Sequence, residues 1–153
     1  MDSPQNHIWG PALWMILHSS AERFGSLLLR RLPKEEIRIW GGLLLSLRYS
    51  LPCPACKKHY TEYLSKTPPP MQKEGLRAWL HHLHSQVNQR LAYPTIALEQ
   101  VEEQYRVPFH FSKHCAVVEK EMVKALRLGH ATREDIQRTA RFFEELRRFY
   151  DFF

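Results

Sequence analysis

Cysteine is scarce in this chain, with 3 in 153 residues, at Cys53, Cys56 and Cys115. That excludes the disulfide lattice with which small secreted domains replace a hydrophobic core. Long apolar runs are missing as well: Arg, Lys or Glu interrupts every hydrophobic stretch before the about 18–20 residues that a membrane span requires. The opening Met-Asp-Ser-Pro-Gln-Asn-His lacks the basic-then-apolar order of a secretion signal and the Arg-rich character of a transit peptide, so an intracellular compartment is expected. Glycine numbers only 6, no internal repeat is present, and no pair of alternating apolar and polar segments marks a strand pair. Acidic residues are the minority charge, 16 against 22 Lys and Arg, for a formal charge of +6. This balance favours acidic partners without selecting one.

What is present suits a compact domain. Hydrophobic residues make up 44%, with 4 Trp, 6 Tyr and 8 Phe to bury, and the length allows one domain with a helical appendage. The pattern reads as helices. Ile8, Trp9, Leu13, Ile16, Leu17, Phe24, Leu27 and Leu28 recur at three- and four-residue steps and predict a helix from about Ile8 to Arg31, with Pro11 in its first turn. A second is predicted from Pro33, with Glu35 and Glu36 at its positive end and Ile37, Trp40, Leu43, Leu44 and Leu47 inward, until Pro52. Cys53 to Leu64 reads as a third, Thr67-Pro68-Pro69-Pro70 as a stiff connector, and Gln72 to Leu91 as a fourth. Ile96 to Tyr105 supplies a short fifth helix. Ser112 is expected to cap a helix to about Leu128, and Thr132-Arg133-Glu134-Asp135 resembles a capping box for a last helix to about Phe152.

Cys53-Pro54-Ala55-Cys56 is the first chemical question. At a helix start, this spacing puts two sulfurs within disulfide reach, and unpaired N–H groups favour thiolate on Cys53, aided by Lys57, Lys58 and His59. A redox pair, two buried thiols and half of a zinc site are all consistent with the pair alone. Zinc would need donors from His59, from His81, His82 and His84, or from His114 and Cys115, none at a familiar finger spacing. Flanking helices in place of strands argue against a thioredoxin fold. Trp14 and His18 stand four apart on one helical face, suited to a planar cofactor. His81, His84, Asn88 and Leu91 form a second stripe, whose polar members need partners if they face inward.

The ordered set Gly10, Trp14 and His18, then Pro52-Cys53-Pro54-Ala55-Cys56, then Trp79-Leu80 leading to His82, His84, Val87, Asn88 and Leu91, then Pro94 and Val101-Glu102-Glu103-Gln104-Tyr105, resembles the Erv/ALR family of FAD-dependent sulfhydryl oxidases. It spans about residues 8–106. The resemblance implies an all-α fold, a four-helix bundle with a short fifth helix over residues 1–108, followed by a C-terminal helical extension over 109–153. It implies a homodimer, FAD as cofactor, protein thiols as substrates and oxygen as acceptor. By position, Cys56 is then the flavin-proximal sulfur and Cys53 the one that exchanges with substrate. Gly10, Trp14, His18, Cys56, His81, His84, Val87, Asn88, Arg90, Leu91 and Tyr105 would line FAD, with Arg90 on the pyrophosphate.

The chain departs from that pattern in lacking the second dithiol with which many members shuttle electrons, since Cys115 stands alone. His81 stands where cellular members carry a structural sulfur, and Ser85 replaces a frequent Asn. Cys115 itself reads as a small half-buried residue. The extension, with Phe142, Phe143, Leu146, Phe149 and Tyr150, reads as an amphipathic helix against the bundle or a dimer interface; nucleic acid is not expected as its partner. This reduced architecture resembles members encoded by large cytoplasmic DNA viruses, which implies host cytoplasm or virion; the mitochondrial intermembrane space is the alternative. The rival from another class is a noncatalytic zinc-stabilised adaptor binding an acidic partner.

Overall fold

The computed structural model describes residues 3–26 and 33–153, and among them it contains helices and no strand. The helices are α1 (Asn6–Ala21), α2 (Pro33–Ser50), α3 (Pro54–Lys66), α4 (Lys73–Leu91), α5 (Val101–Tyr105, entered by a 3-10 turn at Leu98–Gln100), α6 (Phe111–Arg127) and α7 (Arg133–Phe149). None of them is long and apolar enough to cross a membrane.

Most boundaries follow the punctuation in the sequence, and the exceptions have physical causes. Helix α1 stops at Ala21 rather than continuing as its periodicity suggests, because the chain turns over residues 22–25 and Gly25 takes a left-handed φ of +69°. Leu27, Leu28 and Arg31, the rest of the predicted helix, lie outside the described residues. Because α1 begins at Asn6, Pro11 sits in its second turn and has no N–H for the carbonyl of His7; both residues are exposed, so water can serve instead. In α2, Ile37 is exposed and Ile39 takes the inward position beside Trp40, Leu43, Leu44 and Leu47. Helix α6 is capped by His110, whose ring Nδ1 accepts from the Lys113 amide at 3.3 Å, two residues before the expected Ser112. Thr132 and Asp135 do form the capping box of α7. That helix ends at Phe149, short of Phe152.

Packing joins α1 to α4, α5 and α6, α2 to α3 and α7, and α6 to α7. One hydrophobic cluster runs from Leu13, Ile16 and Trp40 through Leu76 and Leu80 to Phe111, Met122, Phe143 and Leu146. It is therefore continuous across residue 108. The α2–α7 seam is close and partly polar. The Phe142 ring occupies the space where a side chain on Gly42 would begin, which explains glycine there. Thr139 Oγ1 lies 2.6 Å from Ser50 Oγ and 2.9 Å from Ser46 Oγ. Trp40 Nε1 donates to Tyr150 Oη at 2.9 Å, and that hydroxyl donates to Glu36 at 2.5 Å. Each polar group buried between these helices thus has a partner on the other one, as a low-dielectric seam demands.

Candidate active site

Pro52, Cys53 and Pro54 produce a sharp helix start. Cys53 is the N-cap of α3, in extended backbone, and its sulfur accepts from the Cys56 amide at 3.2 Å. Pro54 occupies the first turn, where no N–H is needed. Both thiols are free and partly buried. Burial and then the adjacent Cys53 push the Cys56 thiol up to about 12, with Arg90 pulling the other way. Lys57 is not a free cation beside the pair: its ammonium donates to the carbonyl of His130 in the α6–α7 turn, tying the cysteine helix to the C-terminal helices.

Cys56 forms part of the wall of a cavity of about 250 Å³ between α1, α3 and α4. Gly10, Trp14, Val87, Asn88, Arg90 and Leu91 line the same cavity. Behind Trp14 stands a group of rings. Trp14 stacks on His84 with centroids 4.0 Å apart, and His18 stacks on Tyr105 at 4.4 Å. His18 Nε2 and His84 Nδ1, 3.0 Å apart, share a hydrogen bond between the two pairs. His81 is brought elsewhere, its Nε2 lying 2.7 Å from the carbonyl of Ile96, where it secures the chain leading to α5. Asn88 spends part of its amide in the same way, donating to the carbonyl of Pro94 at 3.2 Å.

Several lining residues escaped the sequence reading, among them Asn6, Leu47, Leu51, Tyr60 and Tyr93. Tyr60 was accessible in principle, since it follows Cys56 by four positions and so shares its face of α3. Nothing local marks Asn6.

The residues present fit a flat aromatic cofactor with an anionic tail. A side chain on Gly10 would meet nothing within 4 Å, so that wall is open to a planar group. His18 Nδ1, in the ring group behind Trp14, is buried without a hydrogen-bond partner. Trp14 offers stacking surface to the cavity, and Arg90 supplies a planar cation suited to phosphate oxygens. A zinc reading lacks its ligand set: among the described residues no three His, Cys, Asp or Glu side chains converge where they could hold a metal.

The two histidines make the fold sensitive to acid. Burial, followed by the neighbouring histidines, holds His18 down to about 3, and burial and then His81 hold His84 down to about 4. The unfolded chain takes up these protons near pH 6.5, whereas the folded protein refuses them until the pH is much lower. The stabilisation is therefore complete above about pH 6.5 and drains away as pH falls toward 4. We expect the melting temperature to drop over that window in the native chain and to drop less steeply in His84→Gln. Parallel curves for the two would show that the histidine pair is not the titrating element.

Fold and site together define a helical protein of the thiol-redox class, with a dithiol beside a ring-lined cavity. The chain belongs to the Erv1 / Alr family, whose model matches residues 11–106, more than half of its length. An FAD-linked sulfhydryl oxidase of African swine fever virus (isolate Pig/Kenya/KEN-50/1950) is 32% identical over 98 residues, which cover 63% of this chain and 79% of that protein. A protein of invertebrate iridescent virus 3, provisionally designated an FAD-linked sulfhydryl oxidase, is 29% identical over 118 residues, covering 73% of this chain and 75% of its own. No solved structure matches the chain significantly. The extension helices α6 and α7 lie beyond the family match.

Proposed function

We propose that this chain is an FAD-dependent sulfhydryl oxidase that makes disulfides in protein substrates through Cys53 and Cys56. The observation that carries the reading is the position of Cys56, in the wall of the same cavity as Gly10, Trp14 and Arg90, in a chain of this family.

The chemistry is thiol–disulfide exchange. With the pair oxidised, a substrate thiolate attacks the sulfur of Cys53, the Cys53–Cys56 bond breaks, and Cys56 leaves as thiolate. A second substrate thiolate attacks the substrate sulfur of the mixed disulfide and releases Cys53. The substrate has then lost two electrons and two protons, and the pair is a dithiol. FAD, when bound, supplies an acceptor for that electron pair and a route to oxygen, with hydrogen peroxide as product. The protein contributes placement: α3 holds Cys56 against the cavity, Trp14 would give stacking surface to the flavin, and Arg90 would supply a cation for its pyrophosphate. Within these 153 residues Cys115 is the only other cysteine, so here substrate thiols reach Cys53 directly or through Cys115 acting alone.

The viral relatives support action in host cytoplasm or virion, on the thiols of proteins assembled there. A homodimer fits the exposed apolar residues Ile37, Leu45 and Tyr49 of α2.

The test is a visible absorption spectrum of the purified protein before and after anaerobic dithiothreitol, then after air. The expected result is a flavin band that bleaches with thiol and returns with oxygen. A colourless protein carrying stoichiometric zinc would overturn the reading and make Cys53 and Cys56 metal ligands.

A further inference from the structure

Asn6, the first residue of α1, lines the same cavity as Cys56. Its amide nitrogen Nδ2 lies 4.0 Å from Cys56 Sγ, a long hydrogen-bond contact to sulfur. Its oxygen Oδ1 accepts from the indole Nε1 of Trp9 at 3.1 Å. An indole N–H can only donate, so it fixes which end of the amide faces it and leaves the NH2 group on the side of the sulfur. We propose that Asn6 is a catalytic hydrogen-bond donor to the Cys56 thiolate, stabilising the charge that develops when Cys53 is attacked and held in orientation by Trp9. The inference rests on the oxidase reading for its purpose but not for its test.

Three further observations bear on it. Cys56 sits where burial opposes ionisation, so a neutral donor at the sulfur has more effect than it would in water. The outer-limit distance to the thiol shortens once the acceptor is charged, because charge-assisted hydrogen bonds contract. And Asn6 is not a loose terminal residue. The preceding backbone amide, of Gln5, donates to the buried Glu121 carboxylate of α6 at 2.9 Å, and Lys124 pairs with that carboxylate at 2.7 Å. The extension therefore sets the start of α1 against the active-site sulfur, just as the His130 carbonyl receives Lys57 one residue beyond it.

The experiment uses the full-length chain carrying Cys53→Ser and Cys115→Ser, which leaves Cys56 as the sole thiol and keeps a good N-cap at position 53. The rate of iodoacetamide alkylation of Cys56 at pH 8 is compared among Asn6, Asn6→Leu and Asn6→Asp by peptide mass spectrometry, with circular dichroism checking the fold. Loss of a donor to a charged sulfur is expected to raise the Cys56 pKa by about one unit. The thiolate fraction then falls about tenfold, and greater nucleophilicity of the more basic thiolate returns part of this, for a net slowing of about fourfold in Asn6→Leu. Asn6→Asp keeps the acceptor for Trp9 but replaces the donor with a charge, so its slowing is larger. Unchanged or faster alkylation in both variants would overturn the proposal. Because alkylation needs no flavin or oxygen, that outcome is separable from failure of the oxidase reading, which the bleaching experiment tests.

Discussion

Cys56→Ser is expected to abolish oxygen-linked thiol oxidation while FAD stays bound. The loss should be at least about a thousandfold, because removing one member of a cooperating pair of reactive groups removes the path and not just a share of it. A serine oxygen at this position cannot close a disulfide with Cys53, so no electron pair collects there. On the proposed site, flavin retention has a different basis. The stacking surface of Trp14, the open wall at Gly10 and the cation of Arg90 are untouched by the change of one atom. The measurement is oxygen consumption with dithiothreitol beside the flavin-to-protein absorbance ratio. Substantial turnover with a normal ratio would mean that electrons reach flavin without the pair, and the roles given to Cys53 and Cys56 would have to be withdrawn.

How much of this was legible in the sequence depends on whether the signal is local. The start of α3 was, because Pro52, Cys53 and Pro54 state a stop, a cap and a first turn in consecutive residues. The capping box of α7 was, because Thr132 and Asp135 sit three apart. The end of α1 was not: apolar periodicity runs on through Phe24, while the backbone turns at Gly25. The cap of α6 was hidden because a histidine ring does the work of the expected serine. At the site, spacing pairs Trp14 with His18 and sets His81, His84, Asn88 and Leu91 on one stripe, whereas Gly10 and Val87 come only from the family resemblance; Trp14, Asn88 and Leu91 line the cavity, and His18 and His84 stand behind Trp14. His81 shows the limit of that argument. Its place on the stripe is correct, yet its ring serves the carbonyl of Ile96. Asn6 lies 50 positions from the sulfur it faces, and no periodicity joins the two.

The C-terminal helices show the same limit at larger scale. Their amphipathic pattern predicts that an apolar face is covered, but not by what. In the structure α6 covers α1 and α7 covers α2, and polar partners cross both seams, Glu121 to the Gln5 amide and Tyr150 to Trp40 and Glu36. The helices that line the cavity are thus braced from outside the region the family match covers.

The largest effect on stability is expected where charge is buried. Glu22, just past the end of α1, has a side chain with 0% exposure, and Arg77 of α4, at 14%, meets it. Arg77 Nε and Nη2 donate to its two oxygens at 2.7 and 2.6 Å, a bidentate pairing. Arg77 also pairs with Glu74 and lies 3.7 Å from Glu102 of α5, so one guanidinium joins α1, α4 and α5. Those helices carry Trp14 and His18, His84, and Tyr105. Arg77→Leu strands the Glu22 carboxylate in a buried site, with the Arg106 guanidinium 3.8 Å away. We expect it to cost about 3–5 kcal/mol and to loosen the ring group, so that flavin is lost at denaturant concentrations where the native protein keeps it. The double variant Glu22→Leu with Arg77→Leu should recover much of the stability, because an apolar pair needs no desolvation of charge. Urea unfolding of the three proteins, followed in parallel by flavin release, decides the matter. If the double variant were as unstable as Arg77→Leu alone, the damage would come from lost packing of the arginine stem rather than from the buried charge.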